Sequence, residues 1–544
     1  MRVSSILPVH SSALLVVVFA ALSVAHKWPN PKLDVLEGMR WDQLGYNSFE
    51  TALFVTPCTR YIHPDEKGIK GVRTNAGDWL RTAMILGGHD LMVFSHDMAT
   101  HNSNTGEGGL DASIRLWQEQ ARPENLGDGF NNSVGFVAGS INRYFSLSDG
   151  LALLAVVAVE NCGGPSLSYR GGRIDAVKPN IAGVPEPDQQ LAAHTAAFAR
   201  QGFNKTEMIG LVACGHTFGS VQSSNFPDVV KKNATDPHSE TGAAFDKSIV
   251  KFDNNVAVEY VKGTTKNPLV VGGNATKNSD ARIFASDRNT TMRAFARDAG
   301  HFRKTCKSLL ERMIDTVPKS VKLTEVIQPL PAKPFQLKLT YLKNGTISLS
   351  GEVRLFNVTS NSQRTVALAW KGSAFGSTKV TRAAMPHKDD MVGSAIAGKI
   401  QNMWYGSKTS LAHIDVTRGF GEFWFEVKDR KGSAVQKENQ NGAGFRLPTD
   451  KVMRTVNVAV HKSVHAKKPK VFIELDMRTA DNQATAPSLQ IKLAPTSNAR
   501  ADANGYIIYT TKMKESQWDR GYGIVAVVNG KRRELPHSEL NRFC

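Results

Sequence analysis

The residues best placed to do chemistry sit in one short run, Leu211-Val-Ala-Cys-Gly-His-Thr-Phe-Gly219. An imidazole such as His216 can ligate a metal through one ring nitrogen while the other donates a hydrogen bond. A histidine in this position can equally be structural, so the element that carries it matters. Upstream, Met208, Leu211 and Val212 recur at the helical period, and Asn204 with Glu207 three residues on reads as a capping pair. The run is predicted to be a helix that delivers His216 at its end, with Gly219 closing the segment.

Read more widely, Thr206-Glu-Met-Ile-Gly-Leu-Val-Ala-Cys-Gly-His-Thr-Phe-Gly-Ser-Val-Gln222 resembles the proximal-helix signature of the plant, fungal and bacterial haem peroxidase superfamily. Six further motifs keep that family's order: Asp97-Met-Ala-Thr100, Gly109-Leu-Asp-Ala-Ser113, Arg122-Pro-Glu-Asn-Leu-Gly127, Cys162-Gly-Gly-Pro165, Arg170-Gly-Gly-Arg-Ile-Asp175 and Val184-Pro-Glu-Pro187. The likeness covers roughly residues 40–315 and is nearest to secreted fungal members, including the hybrid type related to lignin-modifying enzymes.

The resemblance implies haem b with His216 as the axial ligand of its iron, Gly215 leaving room for the flat macrocycle. Asp287, in Phe284-Ala-Ser-Asp, is implied as the buried acid that accepts the His216 Nδ1 proton; the alternative is an ordinary Ser-Asp turn. Pro185 is placed along the exposed haem edge where reducing donors bind, or is a plain loop proline. Phe245 falls where some intracellular relatives carry a radical-storing tryptophan, which implies that the second oxidising equivalent stays on the porphyrin. Asn125 resembles the distal asparagine that tunes the catalytic histidine. Two calcium sites are implied, built from oxygen ligands as a hard cation requires. The distal set is Asp97, Gly109, Asp111 and Ser113, intact after His96. The proximal set is Thr217 and Asp253, with Asp246 and Ser248 as weaker matches. Acidic loop residues of this kind are also commonly just solvated.

Splitting hydrogen peroxide requires a base and a cation, for which the family uses histidine and an arginine four residues before it. Here the counterparts are His96 and Arg81, fifteen residues apart, or about 22 Å along a straight helix. Residues 84–95 interrupt the motif, and Ser95 replaces the aromatic residue expected before the histidine. Either the insertion bulges near Gly87-Gly88, or His89-Asp90 substitutes, or the site is disabled. A misplaced splice boundary would leave the same sequence.

The elements that carry these residues divide the chain. At 544 residues it exceeds what one core sustains. Residues 1–25, with Arg2, an apolar run over 13–22 and Ser23-Val-Ala25, are read as a secretory signal peptide. No later apolar stretch is long enough to span a bilayer. Seven Asn-x-Ser/Thr sequons fit a secreted glycoprotein. Five cysteines are too few and scattered for a disulfide scaffold or a zinc site; Cys58 and Cys306, flanking the helical region, are one candidate pair. The proline-spaced stretch 326–334 reads as a linker between a peroxidase domain at 26–325 and a domain at 335–544. There Phe335–Tyr341, Asn344-Gly345 and Ile347–Ser350 form a hairpin pattern, and Phe423–Val427 and Val471–Leu475 add strands.

The fold expected is a mainly α peroxidase domain followed by an all-β, sandwich-like domain. From residue 331 onward 33 Lys and Arg face 17 Asp and Glu, a net of +16 out of the chain's +18. Because a secreted protein rarely meets nucleic acid, acidic wall or matrix polymers are the expected partners of that charge. The activity expected is reduction of hydrogen peroxide with one-electron oxidation of small phenolic or aromatic donors. The rival is a catalytically impaired protein that binds wall polysaccharide through Trp370, Trp404, Trp424 and Trp518.

Overall fold

A computed structural model describes residues 26–48, 96–125, 129–217, 220–222, 226–231, 242–248, 251–342, 346–372, 379–396, 398–415, 418–447, 452–454, 457–475, 489–495, 501, 505–511 and 522–534. Arg81, His89, the 84–95 insertion, the leader and Trp518 lie outside these residues.

The helical part contains α1 (Pro31–Trp41), followed by the short strand β1 (Leu44–Gly45), then α2 (Gly129–Ala138), α3 (Leu147–Asn161), α4 (Leu191–Arg200) and α5 (Lys205–Gly215). A two-stranded ribbon, β2 (Ser220–Gln222) with β3 (Gly242–Ala244), precedes α6 (Asn255–Lys262), α7 (Ser279–Ala285), α8 (Thr290–Arg297) and α9 (Ala299–Ile314). Helix α3 is apolar nearly all round, so it lies inside: Leu151, Val156 and Val159 share a core with Leu36, Met208, Phe284 and Leu310. Among the described residues no helix is long and apolar enough to cross a membrane.

Helix α5 begins at the expected cap. Asn204 Oδ1 accepts from Glu207 N at 3.0 Å and Glu207 Oε2 accepts from Asn204 N at 2.9 Å. Its far end is tied to α9 by a disulfide between Cys214 and Cys306 with a Cα separation of 5.5 Å. This corrects the pairing of Cys306 with Cys58, which lies outside the described residues. Cys214 sits inside the helical signature, one residue before the end of α5, and that places it beside α9 rather than on a loop. Cys162 is also disulfide-bonded.

The rest is strands. Those of the first β unit are β4 (Ala332–Leu342), β5 (Thr346–Phe356), β6 (Thr365–Lys371), β7 (Val380–Met385), β8 (His387–Ala395), β9 (Ile400–Asp415), β10 (Glu422–Lys428), β11 (Gln436–Glu438) and β12 (Phe445–Arg446). One sheet runs β1-β8-β9-β5-β4; the other runs β11-β10-β6-β7 with β12 also on β10. Leu349, Val353 and Met403 of the first share a core with Leu368, Phe423 and Phe425 of the second, so this unit is a sandwich. The expected hairpin is β4 and β5, antiparallel from Ala332↔Leu355 to Leu342↔Thr346.

Strands β13 (Val452–Arg454), β14 (Asn457–His461), β15 (Lys470–Leu475), β16 (Leu489–Pro495), β17 (Tyr506–Thr510), β18 (Tyr522–Val528) and β19 (Lys531–Glu534) make a separate sheet in the order β13-β14-β17-β16-β15-β18-β19. It has its own core of Val458, Val471, Ile473 and Ile524. Trp370, Trp404 and Trp424 are all buried, so these three rings are core residues and present no face to a sugar.

Residues 26–48 belong to both parts. Val35, Leu36 and Met39 of α1 join the helical core, and Arg40 donates to Glu160 Oε1 of α3 at 2.6 Å. On the sandwich side, Trp28 packs edge-on against Phe423 and Phe445, and β1 extends the sheet edge. Strand β5 shows Leu349, Val353 and Leu355 to the sandwich core and Ser350, Glu352 and Arg354 to the opposite face, which is buried as well. There Arg354 reaches Asp42 at 2.9 and 3.0 Å as well as Glu37, and Tyr46 donates to Glu352 at 2.6 Å. The stretch 326–334 is pinned too: Trp41 Nε1 donates to Ile327 O, and Leu330 N to Glu37 Oε1.

Candidate functional site

His216 caps the C-terminus of α5, its N–H still bonded to Val212 O. Its Nδ1 lies 2.7 Å from Oδ2 of Asp280, which is 1% exposed and belongs to α7. Asn267 Nδ2 donates to the same oxygen at 2.7 Å, and Asn267 Oδ1 takes Leu269 N, so the amide's orientation is fixed by its neighbours. The carboxylate therefore holds the Nδ1 proton, and the lone pair of His216 lies on Nε2. Phe245, just past β3, stacks on the imidazole with centroids 4.0 Å apart and planes 7° from parallel. One ring face is thus covered and the ring cannot swing.

The acid expected in this role was Asp287, and that assignment is corrected. Asp287 accepts from Thr290 N and Thr291 N at 2.9 Å and from Thr291 Oγ1 at 2.6 Å, stapling the start of α8. After His216 the sequence carries the dipeptide Ser-Asp at 279–280 and again at 286–287, two helical turns apart. Only the first is on the buried face of α7.

Helix α7 also holds the loop that contains Pro185. Arg282, two residues after Asp280, donates to Pro187 O at 2.5 Å and to Gln189 O at 3.1 Å, and Lys277 pairs with Asp188 at 2.7 Å. From α4, His194 Nε2 lies 2.8 Å from Glu186 O. Pro185 itself is half-buried at the centre of this anchored turn.

His96 is buried beside Phe130 of α2, with ring centroids 5.3 Å apart. Its Nδ1 lies 2.6 Å from Asn125 Oδ1, while Asn125 Nδ2 donates to Glu119 O at 2.8 Å. Since the amide nitrogen is engaged with a carbonyl, Asn125 Oδ1 must accept the Nδ1 proton, and the lone pair of His96 is on Nε2. Burial pushes this imidazole down to about 4, against the Asn125 hydrogen bond, so it is neutral at ordinary pH. Both histidines thus have Nδ1 fixed by a side chain and Nε2 as the reactive nitrogen. Arg81, the expected cation, lies outside the described residues.

A family model described as Peroxidase matches residues 72–300. That segment is a peroxidase domain. Over 214 residues, 38% of this chain, it is 27% identical to L-ascorbate peroxidase 5, peroxisomal, of Arabidopsis thaliana, covering 71% of that protein. Peroxidase 44 of the same plant is 30% identical over 141 residues, 24% of this chain and 46% of its own length. A WSC domain-containing protein of Arthroderma benhamiae is 38% identical over 365 residues, 65% of this chain. That likeness is longer than the 229 residues of 72–300, so it extends beyond the peroxidase domain. The chain spans about half, 47%, of the length of that protein.

The donors of the peroxidase domain fit a haem: a carboxylate-held imidazole with Nε2 to ligate iron, and a neutral, buried imidazole to serve as base. The two cation sets differ. On the proximal side Asp246 Oδ2 is buried without a hydrogen-bond partner, Ser248 Oγ lies 3.0 Å from both Asp246 Oδ1 and Asp253 Oδ1, and Thr217 Oγ1 accepts from Asp253 N at 3.1 Å. An unsatisfied carboxylate oxygen among hydroxyls and a second carboxylate suits a calcium ion. On the distal side Asp97 already accepts from Asp111 N, Ala112 N and Ile114 N and from Ser113 Oγ, at 2.6–3.1 Å. Four donors saturate a carboxylate. The distal set therefore does not fit a cation, although its sequence matched the family's pattern better.

Proposed function

We propose that the chain is a secreted haem peroxidase that reduces hydrogen peroxide and oxidises small aromatic donors by one-electron steps. The observation that carries this reading is the His216–Asp280 pair at 2.7 Å within a segment that matches the peroxidase family.

His216 Nε2 would hold haem through its iron, and the bound group would supply two-electron redox chemistry towards hydrogen peroxide. Asp280 keeps the Nδ1 proton of His216 engaged, which raises the electron density offered by Nε2. Phe245 fixes the ring plane. On the other face, neutral His96 takes the proton from the near oxygen of hydrogen peroxide onto Nε2 and returns it to the far oxygen, which leaves as water. Asn125 holds the Nδ1 proton in place meanwhile, so the base cannot switch tautomer. By resemblance, Arg81 steadies the charge on the departing oxygen. Two donor molecules each return one electron and one proton, so one peroxide becomes two waters. The anchored loop around Pro185 is the site proposed for those donors. A calcium ion held by Asp246, Asp253, Ser248 and Thr217 would fix the residue directly after His216. The +16 charge of residues 331–544 supports an acidic polysaccharide as the partner of the β region.

The test is spectroscopic. Full-length protein reconstituted with haem should show a Soret band that shifts on adding hydrogen peroxide and recovers on adding a simple phenol. A chain that takes up no haem, or whose band peroxide leaves unmoved, would overturn the enzymatic reading.

A further inference from the structure

The distal acidic loop is closed by a group outside the expected set. Asn180, on the segment 174–181, places Nδ2 at 3.0 Å from both carboxylate oxygens of Asp111, 3.0 Å from Ser113 Oγ and 3.3 Å from Thr100 Oγ1. An amide NH2 has two hydrogens, and here four oxygens converge on it. This orientation is assigned from the network: an amide oxygen in the same place would face both oxygens of the Asp111 carboxylate.

The residue is held there from both sides. Asn180 N donates to Glu119 Oε1 at 2.5 Å, and Arg122 donates to Asn180 O. Every oxygen that the resemblance offers as a calcium ligand is engaged by a protein donor. Asp97 O takes Thr100 Oγ1 at 2.7 Å, Gly109 O and Asp97 Oδ2 share Asp111 N at 2.8 and 2.9 Å, and the Asp97 carboxylate also takes Ala112 N, Ile114 N and Ser113 Oγ. The backbone is shaped for this. Ala112 is left-handed at φ 58°, which turns successive N–H groups onto Asp97. Gly109 has φ 122°, and a Cβ there would lie 2.8 Å from Thr316 O.

We infer that the amide of Asn180 stands in this chain where relatives use a distal calcium ion, so that the loop after His96 is held without metal. Asn180 is a positioning residue: it fixes Asp111 and Ser113, whose N–H and hydroxyl groups in turn hold Asp97 next to His96. The inference concerns metal and stability, and it stands apart from peroxidase activity.

Metal counting on the purified full chain tests it, after dialysis against calcium chloride and removal of free ion. Asp246→Asn removes the proximal carboxylate. This variant should retain essentially no calcium, and its thermal midpoint should be the same in calcium chloride as in chelator. Asn180→Ala should melt several degrees lower than the parent in chelator, because Asp111 keeps Ser113 N but loses the amide that reaches both its oxygens. A stoichiometric calcium ion retained by Asp246→Asn would overturn the inference, as would an Asn180→Ala midpoint equal to the parent's. Should Asp246→Asn not fold, the unmodified chain decides: two calcium ions per chain overturn it, and one or none sustains it.

Discussion

His216 Nδ1 lies 2.7 Å from Oδ2 of Asp280, and the acid reaches that position because α7 turns its second residue into the core beside the end of α5. The pair joins the end of α5 to α7, so it fixes the imidazole relative to that helix.

Replacing Asp280 by Asn should lower turnover with peroxide by roughly tenfold or more, since a neutral amide cannot draw the imidazole towards imidazolate. The same change at Asp287 should leave turnover within about twofold and cost about 1 kcal/mol of stability, as expected for a lost helix-end hydrogen bond. Steady-state kinetics and urea denaturation of both variants check this. Equal kinetic losses would return the role to Asp287.

The pH profile follows from His96. Its folded value of about 4 lies below the ordinary 6.5, so between those values the unfolded chain binds the extra proton. The stability this neutral histidine contributes is complete above about pH 6.5 and is lost as pH falls through about 4. In its proposed role as the base it would also set the rate: the reaction with peroxide should be flat from pH 7 to about 5 and fall roughly tenfold per unit below about 4. Stopped-flow measurement of the Soret change reads this limb. Asn125→Ala should slow the step by roughly tenfold at pH 7, because the ring is then free to put its proton on Nε2.

Much of this was legible in the sequence. The capping box at Asn204 and Glu207, the helix ending at His216, the β4–β5 hairpin and the shift from helices to strands near residue 330 all follow from local patterns, and local interactions build them. Three features did not. Asp280 and Asp287 share the same dipeptide, and only the packing of α7 distinguishes them. Asn180 is one polar residue in a loop, and its role appears only when 174–181 folds back over Asp111. The polar face of β5 reads as solvent-facing by alternation, yet residues 26–48 return from more than three hundred positions away to cover it.

That covered face makes Arg354 the next test. Fully buried, it spans Glu37 and Asp42, with Lys333 2.6 Å from Glu37 as the other cation. Arg354→Met leaves two buried carboxylates with one cation and should cost about 3–5 kcal/mol. Adding Glu37→Gln should recover part of that loss, since the two residues are directly coupled. Urea midpoints of parent, single and double variants measure it. A single variant as stable as the parent would mean that α1 is not held by this cluster.

The last prediction concerns the loop around Pro185. Arg282 bonds the carbonyls of Pro187 and Gln189, and it sits two residues from Asp280 on the same helix. Its hydrogen bonds go to backbone carbonyls, those of Pro187 and Gln189 in the loop and those of Ala275 and Thr276 just before α7, so Arg282→Met removes two of the loop's anchors without removing a group from either histidine. If donors bind at this turn, the variant should show KM for a phenol raised roughly fivefold or more, with the rate of the peroxide step within about twofold of the parent. Hydrogen exchange gives a readout independent of activity: amides of 184–190 should exchange faster in the variant while those of α5 keep their protection. Faster exchange with unchanged KM would place donor binding elsewhere on the domain. A loss in the peroxide step would show instead that α7 transmits the disturbance to Asp280, which makes the spacing of these two residues on one helix the deciding geometry.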